Sequence, residues 1–239
     1  MLPIADLHTH TIASGHAFNT LNEMARAARE KGLQAVAITD HGPAMPHTCD
    51  PFYFENLALL PETVEGVRLI KGIEANIVDA EGHLDLAERY LERLEFVIAS
   101  FHEGCIQVGT VEQNTATAIK CLLNPLVKVI GHPGNPMFPL DYDALVQAAV
   151  RLGKCIEINN ASLVRTRHGS EKNCKRIAEL CTKYGAMVVL GSDAHFSGFV
   201  GDLDAALRLI REARVPECNV VNYSMERVLG LLGQHKNSV

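Results

Sequence analysis

The chain has 239 residues, a length that suits one large α/β domain or two smaller ones. Hydrophobic residues make up 47% of it, charged residues 21%, and the formal net charge is −6. This composition can supply a sizeable core, and the net charge argues against broad nucleic-acid binding, which needs a basic face. No apolar run reaches the roughly 18 residues that a membrane span needs.

Short apolar runs alternate with amphipathic stretches along the chain. The apolar runs predict parallel β-strands buried on both faces, at residues 4–8, 34–39, 68–73, 95–99, 127–130, 155–158, 187–190 and, more weakly, 219–221. The amphipathic stretches predict helices at residues 21–31, 111–123, 142–152, 171–184, 203–213 and 225–232. Thr20 and Glu23 form a predicted capping box at the first helix. Residues 43–54, which include three prolines, are predicted to be a long loop over the site.

This βα pattern repeats about seven times, which favours an α/β fold with a parallel sheet, either open or closed into a barrel. Polar residues follow almost every predicted strand. An open sheet concentrates its site at one switch point, whereas a closed ring brings the ends of nearly all strands to one centre. We therefore predict a barrel, formed by a single domain over residues 1–239.

Residues of the types that bind metals gather at the ends of the predicted strands. The first strand ends in Asp6-Leu7-His8-Thr9-His10, and the last in Gly191-Ser192-Asp193-Ala194-His195. Histidine is the commonest metal ligand among side chains. The candidate ligands are seven imidazoles and two carboxylates, of His8, His10, His16, His41, Glu74, His102, His132, Asp193 and His195. This set is larger than one ion needs, and it predicts a multinuclear metalloenzyme.

The charge of such a site indicates its chemistry. Three divalent ions and two carboxylates leave about +4, which attracts a polyanion such as phosphate even on an acidic protein. Imidazole-rich sites suit Zn²⁺, and also Mn²⁺ or Fe²⁺ when carboxylates contribute. Metal-bound hydroxide is the expected nucleophile, since no serine or cysteine nucleophile motif is present. Hydrolysis of a phosphate ester is the predicted reaction.

Several motifs resemble those of the PHP (polymerase and histidinol phosphatase) superfamily of phosphoesterases. Besides the first and last motifs, they are Thr39-Asp40-His41-Gly42, Gly72-Ile73-Glu74-Ala75-Asn76, Phe101-His102-Glu103, Gly131-His132-Pro133-Gly134-Asn135-Pro136 and Glu157-Ile158-Asn159-Asn160. The order and spacing are similar to the YcdX-like branch of small stand-alone phosphatases. The resemblance covers roughly residues 3–232.

The resemblance implies a distorted, TIM-like (βα)7 barrel that holds three metal ions, usually zinc. It implies that a first metal is bound by His8, His10, Glu74 and Asp193. Glu74 would bridge to a second metal bound by His102 and His132, and a third would be bound by His16, His41 and His195. The substrate implied is a small phosphorylated molecule, and a homo-oligomer such as a trimer is compatible with this branch.

Strand six supplies no metal ligand, so the loop after it is free to bind substrate. Arg167 in that loop is the preferred phosphate contact and Arg165 the second choice, because a guanidinium can hold a phosphate through two hydrogen bonds. The sequence leaves the roles of Asn159, Asn160 and Glu103 open. Asp6 and Asp40 are candidates to accept a ring N–H from a ligating histidine.

Three alternatives to a phosphomonoesterase remain open. A phosphodiesterase or 3′–5′ exonuclease is one, although the acidic charge disfavours nucleic acid. An amidohydrolase is another, with Lys71 as the candidate bridging lysine. The third is a non-catalytic, zinc-binding regulatory module. The seven cysteines form no Cys-x-x-Cys pair, and no signal peptide is predicted ahead of Asp6, so we expect a cytoplasmic protein.

Overall fold

A computed structural model describes residues 1–233. Seven parallel strands form one sheet in the order β1-β2-β4-β5-β6-β7-β8, and the short β3 pairs antiparallel with β4. The strands are β1 (Ala5–Thr9), β2 (Ala35–Ile38), β3 (Thr63–Val64), β4 (Val67–Asn76), β5 (Phe96–Ser100), β6 (Val129–Ile130), β7 (Cys155–Asn159) and β8 (Val188–Gly191). The predicted α/β class and single seven-stranded, TIM-like barrel are confirmed.

Helices surround this sheet. They are α1 (Leu21–Glu30), α2 (Pro51–Leu57), α3 (Glu88–Leu91), α4 (Val111–Leu122), α5 (Tyr142–Leu152), α6 (Ala161–Val164), α7 (Ser170–Tyr184), α8 (Asp204–Glu212) and α9 (Met225–Gly233). The capping box predicted at α1 is present: Thr20 Oγ1 accepts the N–H of Glu23, and the Glu23 carboxylate accepts the N–H of Thr20. No helix of residues 1–233 is long and apolar enough to cross a membrane.

The seam between β8 and β1 nearly closes the barrel. The N–H of Asp193 donates to the carbonyl of His8 at 2.9 Å, and the N–H of His10 donates to the carbonyl of Ala194 at 2.9 Å. Lower in the seam, the buried Asn222 amide bonds to both edges, since Nδ2 donates to Ala5 O at 2.9 Å and Oδ1 accepts Leu190 N–H at 2.7 Å. One side chain thus supplies hydrogen bonds that an eighth parallel strand between β8 and β1 would otherwise make.

Two sequence predictions about local structure were wrong. Residues 219–221 are not a strand: short 3-10 turns flank Val220, which makes a single bridge to Val188. Residues 43–54 are not a continuous loop, because α2 begins at Pro51, where the Asp50 carboxylate accepts the N–H of Phe52. Proline at the first position of a helix is favourable, so three prolines did not imply a loop throughout.

The core has two layers. An inner cluster, which includes Leu7, Ile70, Phe96 and Ile98, extends to Val228 and Leu231 of α9. A larger outer cluster packs the helices against the sheet. Because the inner cluster extends to α9 at one end, the carboxyl ends of the strands, at the other end, are left for polar side chains.

Candidate metal centre

The nine predicted ligands are brought together at the carboxyl ends of the strands. His8 and His10 come from β1 and its end, His41 from the residues after β2, and Glu74 from β4. His102, His132, Asp193 and His195 follow β5, β6 and β8, and His16 lies in the loop after β1. The register of β1 against β2 shifts between Asp6 and Thr9. This irregularity accommodates Leu7 in the inner core and the adjacent His8 among the polar side chains.

The two histidines of β1 meet the last strand motif at the centre of this group. His8 Nε2 and His10 Nε2 lie 3.0 Å apart, and both side chains are buried. Asp193 Oδ1 is 3.2 Å from His10 Nε2 and 3.8 Å from His8 Nε2. Glu74 Oε2 is 3.3 Å from His8 Nε2 and 3.5 Å from His10 Nε2. These four side chains therefore surround a common point.

Glu74 extends the group toward three further histidines. Its Oε1 lies 2.7 Å from His132 Nε2 and 3.3 Å from His102 Nε2, and its Oε2 lies 2.8 Å from His41 Nδ1. A fully buried carboxylate with two oxygens directed at different nitrogens is suited to bridge two cations.

His16 and His195 form the exposed side of the group. Their Nε2 atoms lie 3.0 Å apart, and the His195 ring stacks on that of His10 with centroids 4.2 Å apart. Three sets of ligand atoms each lie within 4.8 Å of one another: those of His8, His10 and Asp193; of His10, His41 and His195; and of His41, Glu74 and His102. His10 and His41 each belong to two sets, so the sets overlap.

Hydrogen bonds at the outer nitrogens fix the tautomers of the β1 histidines. His8 Nδ1 lies 2.6 Å from Glu157 Oε1, a carboxylate oxygen that can only accept. His10 Nδ1 lies 3.0 Å from Ser14 Oγ, and Ser14 donates its own hydrogen to Asp40 Oδ1 at 2.7 Å. Both Nδ1 atoms therefore carry hydrogen, and each ring directs Nε2, the atom that it would offer to a cation, toward its neighbour.

His102 is oriented in the same way by an amide. Its Nδ1 lies 2.6 Å from Asn76 Oδ1, while Asn76 Nδ2 donates to the Gly42 carbonyl at 3.1 Å and to the Asp85 carboxylate. The amide oxygen therefore faces the ring as an acceptor. His102 Nε2 is left as a lone pair directed toward Glu74.

Buried polar atoms without hydrogen-bond partners test whether cations fit this site. Of the six such side-chain atoms among residues 1–233, four belong to predicted ligands: His41 Nδ1, Glu74 Oε2, His102 Nε2 and Asp193 Oδ1. Buried polar groups without partners are costly, and lone pairs that face one another repel. Divalent cations among them would satisfy all of these atoms at once. The donor set of imidazole nitrogen and carboxylate oxygen is also one that zinc accepts.

The protonation states agree with this fit. Burial raises the pKa of Glu74, but the His102 and His8 imidazoles outweigh it, so its pKa lies well below the ordinary value. Burial and the neighbouring His41 and His195 imidazoles lower the pKa of His16 to about 4. Carboxylates are ionised and most imidazoles neutral at neutral pH, which are the forms that bind metals.

His8 is the exception. Burial lowers its pKa, but the Glu157, Glu74 and Asp193 carboxylates outweigh burial and raise it well above the ordinary value. A cation that binds Nε2 therefore competes with a proton.

Three of the six non-glycine residues with positive φ among residues 1–233 lie at the site. His132, Asp193 and Arg167 have φ of 27°, 55° and 50°, a region that residues other than glycine seldom adopt. Such conformations persist where the surrounding structure over-determines them, and they cluster at functional sites.

The two predicted substrate arginines lie in different surroundings. Arg167 Nη1 donates to Asp193 Oδ2 at 2.8 Å and lies at the centre. Arg165 donates to Asp202 Oδ2 at 2.7 Å, and its guanidinium lies 4.2 Å above the Phe199 ring. Arg167 thus contacts a predicted metal ligand, whereas the guanidinium of Arg165 is already bound to Asp202 and Phe199.

Other residues that the sequence left open have these positions. Asn159 Nδ2 donates to Asp193 Oδ2 and Glu157 Oε1, at 3.3 Å each, and therefore orients two carboxylates. Asn160 Oδ1 accepts the N–H of Ala206 at 3.0 Å, while Glu103 is exposed.

Lys71, the candidate bridging lysine of an amidohydrolase, donates to the Ala58 carbonyl of the residue after α2 at 3.3 Å. That contact directs its ammonium away from the histidines and removes the residue on which the amidohydrolase alternative depended.

The predicted acceptors of the histidine ring N–H groups, Asp6 and Asp40, were wrong. Asp6 accepts the N–H groups of Ser192 and Gly201, and Asp40 reaches His10 only through Ser14. Glu157, Ser14 and Asn76 bond to the rings instead. A detectable signal existed for Glu157, since a single acid within an apolar run of a buried strand needs a buried partner.

Comparisons with known proteins agree with the fold and the motifs. The profile of the family described as PHP domain matches residues 6–168. A probable phosphatase of Acetivibrio thermocellus is 51% identical over 224 residues, which cover 94% of this chain and 92% of that protein. A probable phosphatase of Caldanaerobacter subterraneus subsp. tengcongensis is 48% identical over 237 residues, 99% of this chain and 93% of the relative.

A more distant likeness appears among solved structures. The histidinol phosphate phosphatase of Lactococcus lactis subsp. lactis, solved with zinc, L-histidinol and phosphate, superposes with a TM-score of 0.62 at 18% identity. The match covers 89% of this chain and 94% of that one. At this level of identity the likeness concerns the fold.

Proposed function

From the premise that the chain belongs to the PHP domain family, we propose that it is a metal-dependent phosphatase that hydrolyses the phosphate ester of a small molecule at a centre of three divalent ions. The two similar proteins, each matched over more than 90% of its own length, are both named as probable phosphatases, which supports the reaction class. The number of ions, their identity and the small-molecule substrate are the finer parts of the proposal.

The observation that carries the proposal is the inward direction of the nitrogen atoms that would bind cations. Outer hydrogen bonds to Glu157 and Ser14 occupy Nδ1 of His8 and His10, so both rings direct Nε2 inward, where the two atoms lie 3.0 Å apart. Buried oxygens of Glu74 and Asp193 lie within 4 Å of both Nε2 atoms and complete a donor set for a metal ion. The same arrangement disfavours a purely structural role for these histidines.

The proposed ligands are the nine residues predicted from the sequence. His8, His10, Glu74 and Asp193 would bind one ion, and Glu74 would bridge to a second bound by His102 and His132. His16, His41 and His195 would bind a third. Zinc suits seven imidazoles better than magnesium or calcium does. When bound, such ions lower the pKa of a water molecule and withdraw charge from phosphate oxygens.

The chain's own residues prepare the site for a phosphate group. Arg167 is proposed to bind one of its oxygens, because the guanidinium is mostly buried, is held by Asp193, and has further N–H donors. Asn159 holds the Asp193 carboxylate from the other side. Arg165 is less suited, since Asp202 and Phe199 already engage it.

The acidic net charge favours a small substrate over a nucleic acid. A nucleic acid requires contacts along many phosphates, and a net charge of −6 opposes them. A single phosphate monoester requires only local positive charge. Phosphodiesterase or exonuclease activity therefore stays the weaker hypothesis.

The test is a panel of phosphate monoesters assayed with protein whose metal content has been measured. We expect release of inorganic phosphate that is lost on chelation and restored by zinc, and about three ions per chain. The His8→Ala variant should lose activity, whereas His83→Ala should keep it, because His83 is exposed and pairs with Asp79, outside the histidine group. Activity that survives both chelation and His8→Ala would refute the proposal.

A further inference from the structure

A cavity separate from the histidine group lies on the flank of the barrel, between the loop after β1 and helix α2. Its volume is about 550 Å³, within the range of small-molecule sites. Ile12, Ala13, Leu21, Leu57 and Leu60 form most of its wall. The proposed reaction makes no use of this space.

Two polar residues of the wall connect the cavity to a buried carboxylate. Tyr53, in α2, donates its hydroxyl hydrogen to Asp40 Oδ2 at 2.6 Å. Thr11 donates its hydroxyl hydrogen to the same oxygen at 2.9 Å and its N–H to Asp40 Oδ1 at 2.6 Å. Hydrogen bonds to a charged acceptor are stronger than neutral ones, so the position of the wall and that of the carboxylate depend on each other.

The same carboxylate leads to a proposed metal ligand. Asp40 Oδ1 accepts the hydroxyl hydrogen of Ser14 at 2.7 Å, and Ser14 Oγ lies 3.0 Å from His10 Nδ1. Ser14 Oγ also accepts the N–H of His41 at 3.2 Å. A continuous set of hydrogen bonds, partly buried at Tyr53 and buried beyond it, therefore runs from the cavity wall to the ring of His10.

We propose that this cavity binds an uncharged, largely apolar small molecule. The bound molecule further restricts the movement of the His10 ring, through the hydrogen bonds that connect Tyr53, Asp40 and Ser14 to it. The nine lining residues all lie within residues 1–233, and none of them carries a charged side chain. An ion would therefore be desolvated without compensation. The amide of Asn56, whose Nδ2 donates one hydrogen to the Phe52 carbonyl at 2.8 Å, keeps a second hydrogen and Oδ1 to bond to one polar group of the ligand.

The direction of the coupling follows from packing. A molecule in the cavity adds contacts to Tyr53 and Leu57, which restrict the movement of the wall. A restricted wall holds Asp40, and Asp40 holds Ser14 against His10. The coupling free energy between two binding sites typically corresponds to a change of about 5- to 150-fold in the affinity of one site when the other is filled. We expect the release of zinc to slow by about fivefold or more when the cavity is filled. The coupling rests on the proposed function, whereas the binding does not.

The binding test uses N-phenyl-1-naphthylamine, a neutral apolar fluorophore, with zinc-loaded protein. We expect saturable binding of one molecule per chain. Leu60→Trp, which fills the cavity, should weaken binding at least about tenfold. Leu59→Trp is the matched control, because Leu59 is the neighbouring residue, is 75% exposed and does not line the cavity. Thermal denaturation confirms that both variants fold.

Binding that is not saturable, or that Leu60→Trp leaves unchanged, would overturn the site. So would sedimentation showing that a second copy of the chain covers the cavity and that Leu60→Trp separates the copies.

The coupling test measures zinc transfer to a colorimetric chelator with and without saturating fluorophore. Transfer should slow in the wild-type protein, and the effect should disappear in Tyr53→Phe, which keeps the ring but loses the bond to Asp40. Fluorophore that binds without changing zinc transfer would overturn the coupling alone. A protein that binds the fluorophore but never holds zinc would instead refute the proposed function.

Discussion

The carboxylate of Glu157 joins two histidines from different strand ends, His8 and His132. Its Oε1 lies 2.6 Å from His8 Nδ1, and its Oε2 accepts the backbone N–H of His132 at 2.6 Å. His132 has a φ of 27°, which is unfavourable for a residue with a side chain. One buried side chain thus fixes the tautomer of the first histidine and the backbone of the second.

Glu157→Gln should weaken metal binding without unfolding the protein. Glutamine keeps the shape but has one acceptor oxygen, so its amide N–H₂ must face either His8 Nδ1 or the His132 N–H. Loss of such an outer partner typically lowers metal affinity by about 10- to 100-fold. Zinc competition with a chelator of known affinity measures the change. Glu171→Gln, at an exposed position of α7, is the control. Equal zinc affinity in both variants would contradict the role of Glu157.

Arg167→Ala should lower kcat/KM for phosphate monoesters by about 10- to 100-fold, because a charge-assisted hydrogen bond contributes about 1.5–3 kcal/mol. Inhibition by inorganic phosphate should weaken by a similar factor. Arg165→Ala should change both by less than about threefold, since Asp202 and Phe199 already engage its guanidinium. Because Arg167 also touches Asp193, zinc content is measured in parallel. If the Arg167→Ala variant lost zinc but kept its affinity for phosphate, Arg167 would act only by holding the Asp193 carboxylate.

The sequence was sufficient for what depends on periodicity and on strand ends. Residues 155–158 predict a strand from their apolar run, and β7 covers them. His132 and Asp193 follow strands, and parallel strands in a ring direct their ends to one centre. Repeated local patterns therefore determined the fold class and the convergence of the nine side chains.

What the sequence did not reveal depends on contacts between distant segments. The side chain of Asn222 completes the seam between β1 and β8, and nothing in its neighbourhood distinguishes this from an ordinary turn. Ser14 and Asn76 orient histidines through hydrogen bonds whose direction follows from second partners, Asp40 and Asp85. Such chains of donors and acceptors are set by tertiary geometry, which periodicity does not encode.

Gly191→Ala should destabilise the protein, because a Cβ at this position would overlap both Glu157 Oε1 and His8 Cβ. The strand or the two side chains must shift, and overpacking of this kind costs about 1–3 kcal/mol. Gly230→Ala is the matched control within α9, where a Cβ meets no atom within 4 Å and should stabilise the helix by about 1 kcal/mol. Urea denaturation measures the free energy of unfolding, which should fall for Gly191→Ala and rise for Gly230→Ala. A destabilisation by Gly191→Ala no larger than that of a surface substitution would show that the strand relaxes freely.

Lys128→Met should stabilise the protein at pH 7 and lose that advantage as the pH rises. Burial, and then the Lys154 ammonium, lower the pKa of Lys128 to about 8, while the nearby Cys155 opposes this shift. Between pH 8 and about 10.5 the unfolded chain binds a proton that the folded chain has released, so wild-type stability rises through that window. Below pH 8 both states are protonated and the cost of burying the charge is complete.

The measurement is thermal denaturation at pH 7 and pH 10 in the presence of a chelator, which removes metal binding as a second pH-dependent process. Lys175→Met, at an exposed position of α7, is the control and should show no such trend. A Tm difference for Lys128→Met that is the same at both pH values would contradict the assigned pKa.

Removal of metal should lower the Tm, because a ligand that binds only the folded chain stabilises it by RT ln(1 + [L]/Kd). Free zinc at 100 times its Kd contributes about 2.7 kcal/mol, which corresponds to a Tm change of about 5–10 °C for a chain of this size. The shift should exceed that of a surface-bound ion, since among residues 1–233 the buried Glu74 Oε2 and Asp193 Oδ1 have no hydrogen-bond partner that would replace the cations. Asp193→Asn should lose most of the shift, and Asp79→Asn, at an exposed position beside His83, should keep it. An identical Tm with and without chelator, in protein shown to contain zinc beforehand, would mean that the cations do not contribute to the stability of the barrel.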